Sequence, residues 1–268
     1  MLPALVFILV LHVAPLLRLI GMSFGHEQLS LDAYRELFGM WSYTATLVRT
    51  LRISAMVVVG CLFWGFPIAY VLAFATPKQR IVLWLMVLLP SCSSILVRNF
   101  AWIYMLRDGG MLSTALGWMT PSGLPAHLLY NEAGVVIAMV STLLPFMIFP
   151  ICLSLSAQSA VLRDAAASLG ANPARTFTSI TLPLSAPGVQ AGAIFVFITA
   201  AGFFVTPALL GGGRVLTAAT FIAQQIEEFL DWPLAAAGSA ILLVILALAS
   251  GAYLRSTSTH TDPRNALG

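Results

Sequence analysis

The side chains able to do chemistry are sparse in this chain. His12, His26, His127 and His260 are scattered and share no metal-ligand or acid–base spacing. Gly21-Met22-Ser23-Phe24-Gly25 matches the G-x-S-x-G of a nucleophile elbow, but it sits where an apolar run ends. It lacks the strand-turn-helix setting that exposes such a serine, and reads as coincidence. A phosphate-binding P-loop needs Gly-Lys-Ser/Thr, whereas the only lysine, Lys78, follows Pro77. The chain therefore carries no Walker A site and cannot hydrolyse ATP by itself. Cys61, Cys92 and Cys152 all lie within apolar runs and read as small hydrophobes without a disulfide framework or metal spacing. Nothing here indicates an enzyme.

Two groups of polar residues invite a binding role instead. Arg98 lies within an apolar stretch, where a charged side chain costs roughly 2.5 to 3.5 kcal/mol on insertion scales, so it must face protein or water. Arg98, Asn99, Trp102 and Tyr104 could line a translocation path or its outer gate; equally, Arg98 could satisfy helix-end carbonyls or pair with Asp108. Glu227, Glu228 and Asp231 form an acidic cluster that could attract a polycation or a soluble binding protein, or could be no more than a solvated loop.

The elements that must carry these residues follow from composition. The chain has 268 residues, 59% hydrophobic and 9% charged, against roughly 25% charged in a soluble domain. The 13 basic residues are dispersed and the net charge is only +3, which does not indicate nucleic-acid binding. Six apolar stretches, at about 2–20, 53–75, 81–106, 133–155, 189–210 and 234–254, are long enough to cross a membrane as helices. They show no strand-like alternation, so the fold class is all-α, an integral membrane protein with one domain. The first stretch lacks a basic n-region and a small-residue cleavage site, and is expected to be a retained helix.

Lysine and arginine set the orientation. With six spans, the tails and even-numbered loops share a side that carries Lys78, Arg80, Arg163, Arg175, Arg255 and Arg264 against Asp164 and Asp262. That side is expected to be cytoplasmic, with both ends of the chain on it. The acids gather on the other side. Every Asp and Glu maps to a loop or helix border, which gives no support to a proton- or sodium-coupled carrier.

On the cytoplasmic side the 156–187 loop is the most informative segment. Leu162, Ala165, Ala166 and Leu169 recur at i, i+3, i+4 and i+7, on one helical face. Gly170 suits a left-handed C-terminal cap, Asn172 an N-cap and Pro173 the first position of a second helix. Phe177, Ile180 and Leu184 continue the apolar stripe, and Pro183 and Pro187 are expected to disrupt regular helix. Few basic residues flank the stripe, and its small alanines favour a protein groove over lipid headgroups. Further along, Gly188 and Gly192 are spaced as GxxxG, and Pro67, Pro90, Pro145, Pro150 and Pro207 punctuate the spans.

The run Asp164-Ala165-Ala166, Gly170, Ile180 and Leu182-Pro183 resembles the EAA loop of permease subunits of ABC importers, with aspartate in place of the usual glutamate. Further stretches resemble the spermidine/putrescine type of permease: HVAPLLRLIGMSF, LLPSCSSILVRNFAWIYMLRDGGMLS, FFVTPALLGGG and DWPLAAAGSAILL. Permeases for opines, aminophosphonates and ferric iron share much of this background. The resemblance implies a MetI-like type I importer fold in the bacterial inner membrane and transport by alternating access. It also implies a second homologous permease, two ATP-binding cassette subunits that hold the ATP and Mg, and a periplasmic solute-binding protein; no cofactor is expected in this chain. It gives Asp164, Ala165, Ala166, Leu169, Gly170, Phe177, Ile180, Leu182 and Pro183 the role of docking to the ATPase and coupling to it.

Overall fold

A computed structural model describes residues 2–24, 31–119 and 128–258. Among them there are helices and no strand. The chain divides into two compact units: Met1–Leu51 with Leu216–Gly268, and Arg52–Val215.

The second unit is built on α7, Glu132–Ser156, packed against α10, Leu182–Ala201. Asn131 caps α7 by accepting a 3.0 Å hydrogen bond from the Gly134 amide. Along α7, Met139, Leu143, Met147, Ile148, Ile151 and Leu155 are fully buried, and they meet Ile53, Val57 and Leu72 of α3, Trp41–Phe74, in one core. Contact between α7 and α10 depends on the GxxxG pair. A Cβ at Gly188 would lie 2.5 Å from the Pro150 carbonyl oxygen and 2.6 Å from the Ser154 Cβ, and one at Gly192 would lie 2.8 Å from Met147 Sδ. Small residues let the two backbones approach where lipid offers no hydrophobic drive for association.

The expected span at 81–106 is not one helix. Helix α4, Pro77–Leu88, runs into a 3₁₀ turn at Leu89–Cys92, and after extended Ser93 and Ser94 the chain restarts as α5, Ile95–Leu106, followed by α6, Met111–Met119. The two arms meet at 94°. Pro90 supplies no amide, and the Ser93 hydroxyl donates to the Pro90 carbonyl at 2.7 Å, so the backbone finds local partners that compete with helix.

The expected span at 189–210 also differs at both ends. Pro183 and Pro187 do not end the helix: α9, Pro173–Thr176, a π-helical segment at Phe177–Thr181 and α10 form one 29-residue apolar body, Pro173–Ala201. Within it the Leu182 amide donates to the Phe177 carbonyl five residues back. The wider turn makes room for the Pro183 ring, which in α-helix would clash with the carbonyl four residues before it. The chain breaks after Ala201 and resumes as the short α11, Val205–Leu210.

The first unit holds α1, Leu2–Ser23, against α13, Trp232–Ser258, together with α2, Asp32–Gly39, α12, Ala218–Glu227, and the opening turns of α3. Helix α3 begins well before the apolar stretch at 53–75, because its polar start is buried and bonded. Tyr43 is fully buried, donates to the Gly238 carbonyl at 3.0 Å and packs its ring 5.2 Å from that of Phe221. Thr50 accepts from the Ala218 amide at 2.8 Å, satisfying the first turn of α12. Ser23, the serine of the coincidental motif, donates to the Ile20 carbonyl and shares a 2.7 Å hydrogen bond with the Tyr34 hydroxyl.

Candidate functional site: the docking loop and the broken helix

The loop between α7 and α10 opens with α8, Ala160–Ser168. Helix α8 ends where the sequence places its stop. Gly170 is left-handed at φ +77°, and the Ala171 amide reaches back to the Ala166 carbonyl at 3.0 Å, closing the helix as a Schellman-type cap. Asn172 then accepts from the Arg175 amide at 2.7 Å, and Pro173 opens α9.

Of the apolar stripe on α8, only Ala166 is buried. Ala165 and Asp164 are exposed, Leu162 is 48% exposed and Leu169 89% exposed. An exposed leucine face beside a carboxylate, on a helix held away from the apolar core, has the character of an unfilled protein contact. Here the exposure decides the matter: the stripe is not this chain's own core.

The π segment ties that face to the membrane helices. Phe177 packs edge-on against Phe66 and Tyr70 of α3, with ring centroids 6.0 and 5.7 Å apart. From the last turn of α7, Ser154 donates to the Leu184 carbonyl at 3.1 Å, and Gln158, just beyond it, donates to the Thr181 carbonyl at 3.1 Å. Ile180 is half-buried, while Leu182 and Pro183 are exposed. Sequence reasoning passed over Ser154 and Gln158, because a polar residue at the end of an apolar helix has no pattern that marks its partner. Arg80, which the sequence offers only as a basic residue marking one side, donates to the carbonyls of Leu72 at 3.1 Å and Ala73 at 2.6 Å and so closes the C-terminal end of α3.

At the broken helix Arg98 bridges the two arms. Its Nη2 donates to the Pro90 carbonyl at 2.6 Å and to the Ser93 carbonyl at 3.3 Å. Its neighbours do not form a cluster around one solute. Asn99 is buried and accepts from the Thr206 hydroxyl of α11 at 3.0 Å. Trp102 donates from Nε1 to Ser141 of α7 at 2.9 Å. Tyr104 is exposed, with the Arg107 guanidinium 4.2 Å from its ring centroid, a cation–π pair. Arg52 of α3 forms an ion pair with Glu132 at the start of α7.

The three acids near α13 lie on one short link. Glu227 ends α12 and is exposed, and Glu228 accepts from Gln224 at 2.8 Å. Asp231 accepts from the Leu234 amide at 3.0 Å, as an N-cap of α13 does. Among the described residues no group of His, Cys, Asp or Glu is arranged to hold a metal ion. His26, His127 and His260 lie outside the described residues.

No family profile matches the chain. It is 31% identical over 235 residues to the spermidine/putrescine transport system permease protein PotB of Escherichia coli K12, covering 88% of this chain and 85% of that one. To the PotB of Haemophilus influenzae it is 33% identical, over 88% of this chain and 82% of that one. The inner membrane ABC transporter permease protein YdcU of Escherichia coli K12 is 30% identical over 82% of this chain and 74% of that one. Two crystal structures of a bacterial alginate ABC transporter, one in complex with an alginate-bound periplasmic protein, contain chains of the same fold. They align with TM-scores of 0.71 and 0.75 over 95% and 96% of this chain, and 93% of each of theirs, at 18% and 21% identity. The chain belongs to the family of ABC importer permease subunits.

Proposed function

We propose that this permease subunit imports polyamines of the spermidine/putrescine class. The observation that carries this reading is the identity of 31–33% to spermidine/putrescine permeases along 88% of the chain. In this reading the chain pairs with a second homologous permease above two ATP-binding subunits, and a periplasmic binding protein delivers the solute. Both ends of the chain and the 156–187 loop face the cytoplasm, as the distribution of lysine and arginine supports.

The coupling role goes to Asp164, Ala165, Leu169 and Gly170 as the contact and to Phe177, Ile180, Leu182 and Pro183 as its connection to the bundle. ATP-driven closure of the ATPases moves α8, and the Phe177 contact with Phe66 and Tyr70 passes that movement to α3. Arg98 holds the bend between α4 and α5 and so shapes the path without ligating the cation. Glu227 and Glu228 supply negative charge on the outer side, where a polycation arrives.

The test is reconstitution of the chain with its partner permease, ATPase and binding protein. Spermidine or putrescine added with the binding protein is expected to stimulate ATP hydrolysis and to accumulate inside vesicles. Stimulation by ferric iron or an opine, with none by either polyamine, would overturn the substrate assignment.

A further inference from the structure

A cavity of about 630 Å³, open along one side, lies in the second unit, walled by Trp84 of α4, Phe146 and Phe149 of α7 and Phe195 of α10, the three phenylalanines 46–61% exposed, with Ser91 and Pro150 also on its wall. The rings are paired: Trp84 lies 6.0 Å from Phe149, and Phe146 lies 5.2 Å from Phe195. No lining residue carries an ionisable side chain. One backbone group is different in kind. Pro150 has no amide hydrogen, so the carbonyl of Phe146, four residues earlier in α7, loses its helical donor. Four aromatic rings and a carbonyl freed from helix bonding are the groups that attract an ammonium ion in an apolar setting.

We propose that this cavity is a transit site for an alkylammonium group, held by the faces of Trp84, Phe146, Phe149 and Phe195 and by the Phe146 carbonyl instead of by an ion pair. The proposal rests on the polyamine reading and adds where, and by what chemistry, the solute is held in this chain. A carboxylate on this wall would trap a polycation, whereas conduction needs sites that are weak enough to leave. Among the described residues no acid lies within the long spans Trp41–Phe74, Pro173–Ala201 and Trp232–Gly251, and Glu132 only opens Glu132–Ser156, so at this wall ring faces and a carbonyl dipole are the groups that meet a cation. The methylene spacers of an alkylamine match the apolar remainder of the wall, such as Leu88 and Ala191. A lipid acyl chain would fit the same wall but has no use for the rings' negative faces.

The experiment uses the assembled transporter with fluorinated tryptophan at position 84, then fluorinated phenylalanine at position 149. Fluorination drains the negative potential of the ring face at nearly constant volume. The ¹⁹F signal of a monofluorinated Trp84 is expected to shift saturably with spermidine and with tetramethylammonium, but not with 1,8-octanediol. In vesicles the KM for spermidine uptake is expected to rise stepwise with fluorination, to about fivefold in total. A ¹⁹F signal that ignores both cations, or a KM unchanged across the series, overturns the cavity assignment. An unsubstituted transporter that imports no polyamine overturns the substrate reading, while the ¹⁹F titration with tetramethylammonium still decides the cavity.

Discussion

Gly188 lies so close to Pro150 that a Cβ on it would stand 2.5 Å from the Pro150 carbonyl oxygen. Because the obstacle is backbone, it cannot rotate away. Gly188→Ala should therefore separate α10 from α7 and cost more than the roughly 1–3 kcal/mol typical of overpacking. Gly192→Ala meets the thioether of Met147, a flexible side chain, and should cost less. Thermal unfolding of the two variants in detergent checks the order; equal loss at both positions would contradict the close approach.

Arg98 should behave as a structural clamp. Arg98→Ala removes both charge-assisted bonds: the Pro90 carbonyl keeps the Ser93 hydroxyl, the Ser93 carbonyl loses its Arg98 donor, and the solvent-exposed setting holds the loss to about 0.5–1.5 kcal/mol. Stability and uptake are expected to fall together, with Arg98→Lys recovering part of both. Full stability with uptake lost would instead put Arg98 directly in the gate.

Leu169 is 89% exposed and contributes nothing to this chain's core. Leu169→Glu is therefore expected to leave the unfolding free energy within about 0.5 kcal/mol of the parent while reducing co-purification of the ATPase. An intact complex with normal stimulated hydrolysis would remove α8 from the contact.

Phe177 touches two rings of α3, and each edge-on pair is worth about 0.5–1.5 kcal/mol beyond its buried area. Phe177→Ala should let the ATPase still bind but weaken what binding transmits. Hydrolysis is then expected to continue with transport per ATP reduced at least severalfold; an unchanged ratio would show that movement reaches the bundle by another route.

Asp231 separates two roles for the outer acids. Asp231→Ala should destabilise by about 1 kcal/mol through loss of the cap to Leu234, whereas Asp231→Asn keeps an acceptor and should be nearly neutral. If uptake at low salt falls in Glu227→Gln/Glu228→Gln without any change in stability, the exposed pair acts on the arriving cation, and the cap does not.

Hydropathy located the long helices because each must hide its backbone from lipid, and the end of α8 was legible because Gly170, Asn172 and Pro173 act within a few residues of themselves. What escaped was set by distant partners. The polar start of α3 reads as loop until Tyr43 and Thr50 are seen bonded to Gly238 and Ala218. The bend after Cys92 hides in an apolar run because Arg98, which supports it, lies beyond it in sequence. Pro183 reads as a helix breaker because nothing local announces that the preceding turn widens. For the candidate site, the apolar stripe of α8 was legible, but which of its members point outward was not.

The π turn at Phe177–Thr181 has a geometric consequence. Each residue of an α-helix advances about 100° around the axis, so one surplus residue puts the stretch before it out of phase with the stretch after it. The face that Pro173–Thr176 shares with α8 and the face that Gly188 and Gly192 present to α7 therefore cannot be read as one continuous ridge. The joint is an angular offset: any displacement of the α8 side would reach the α7 contact turned about the axis, as twist as well as translation.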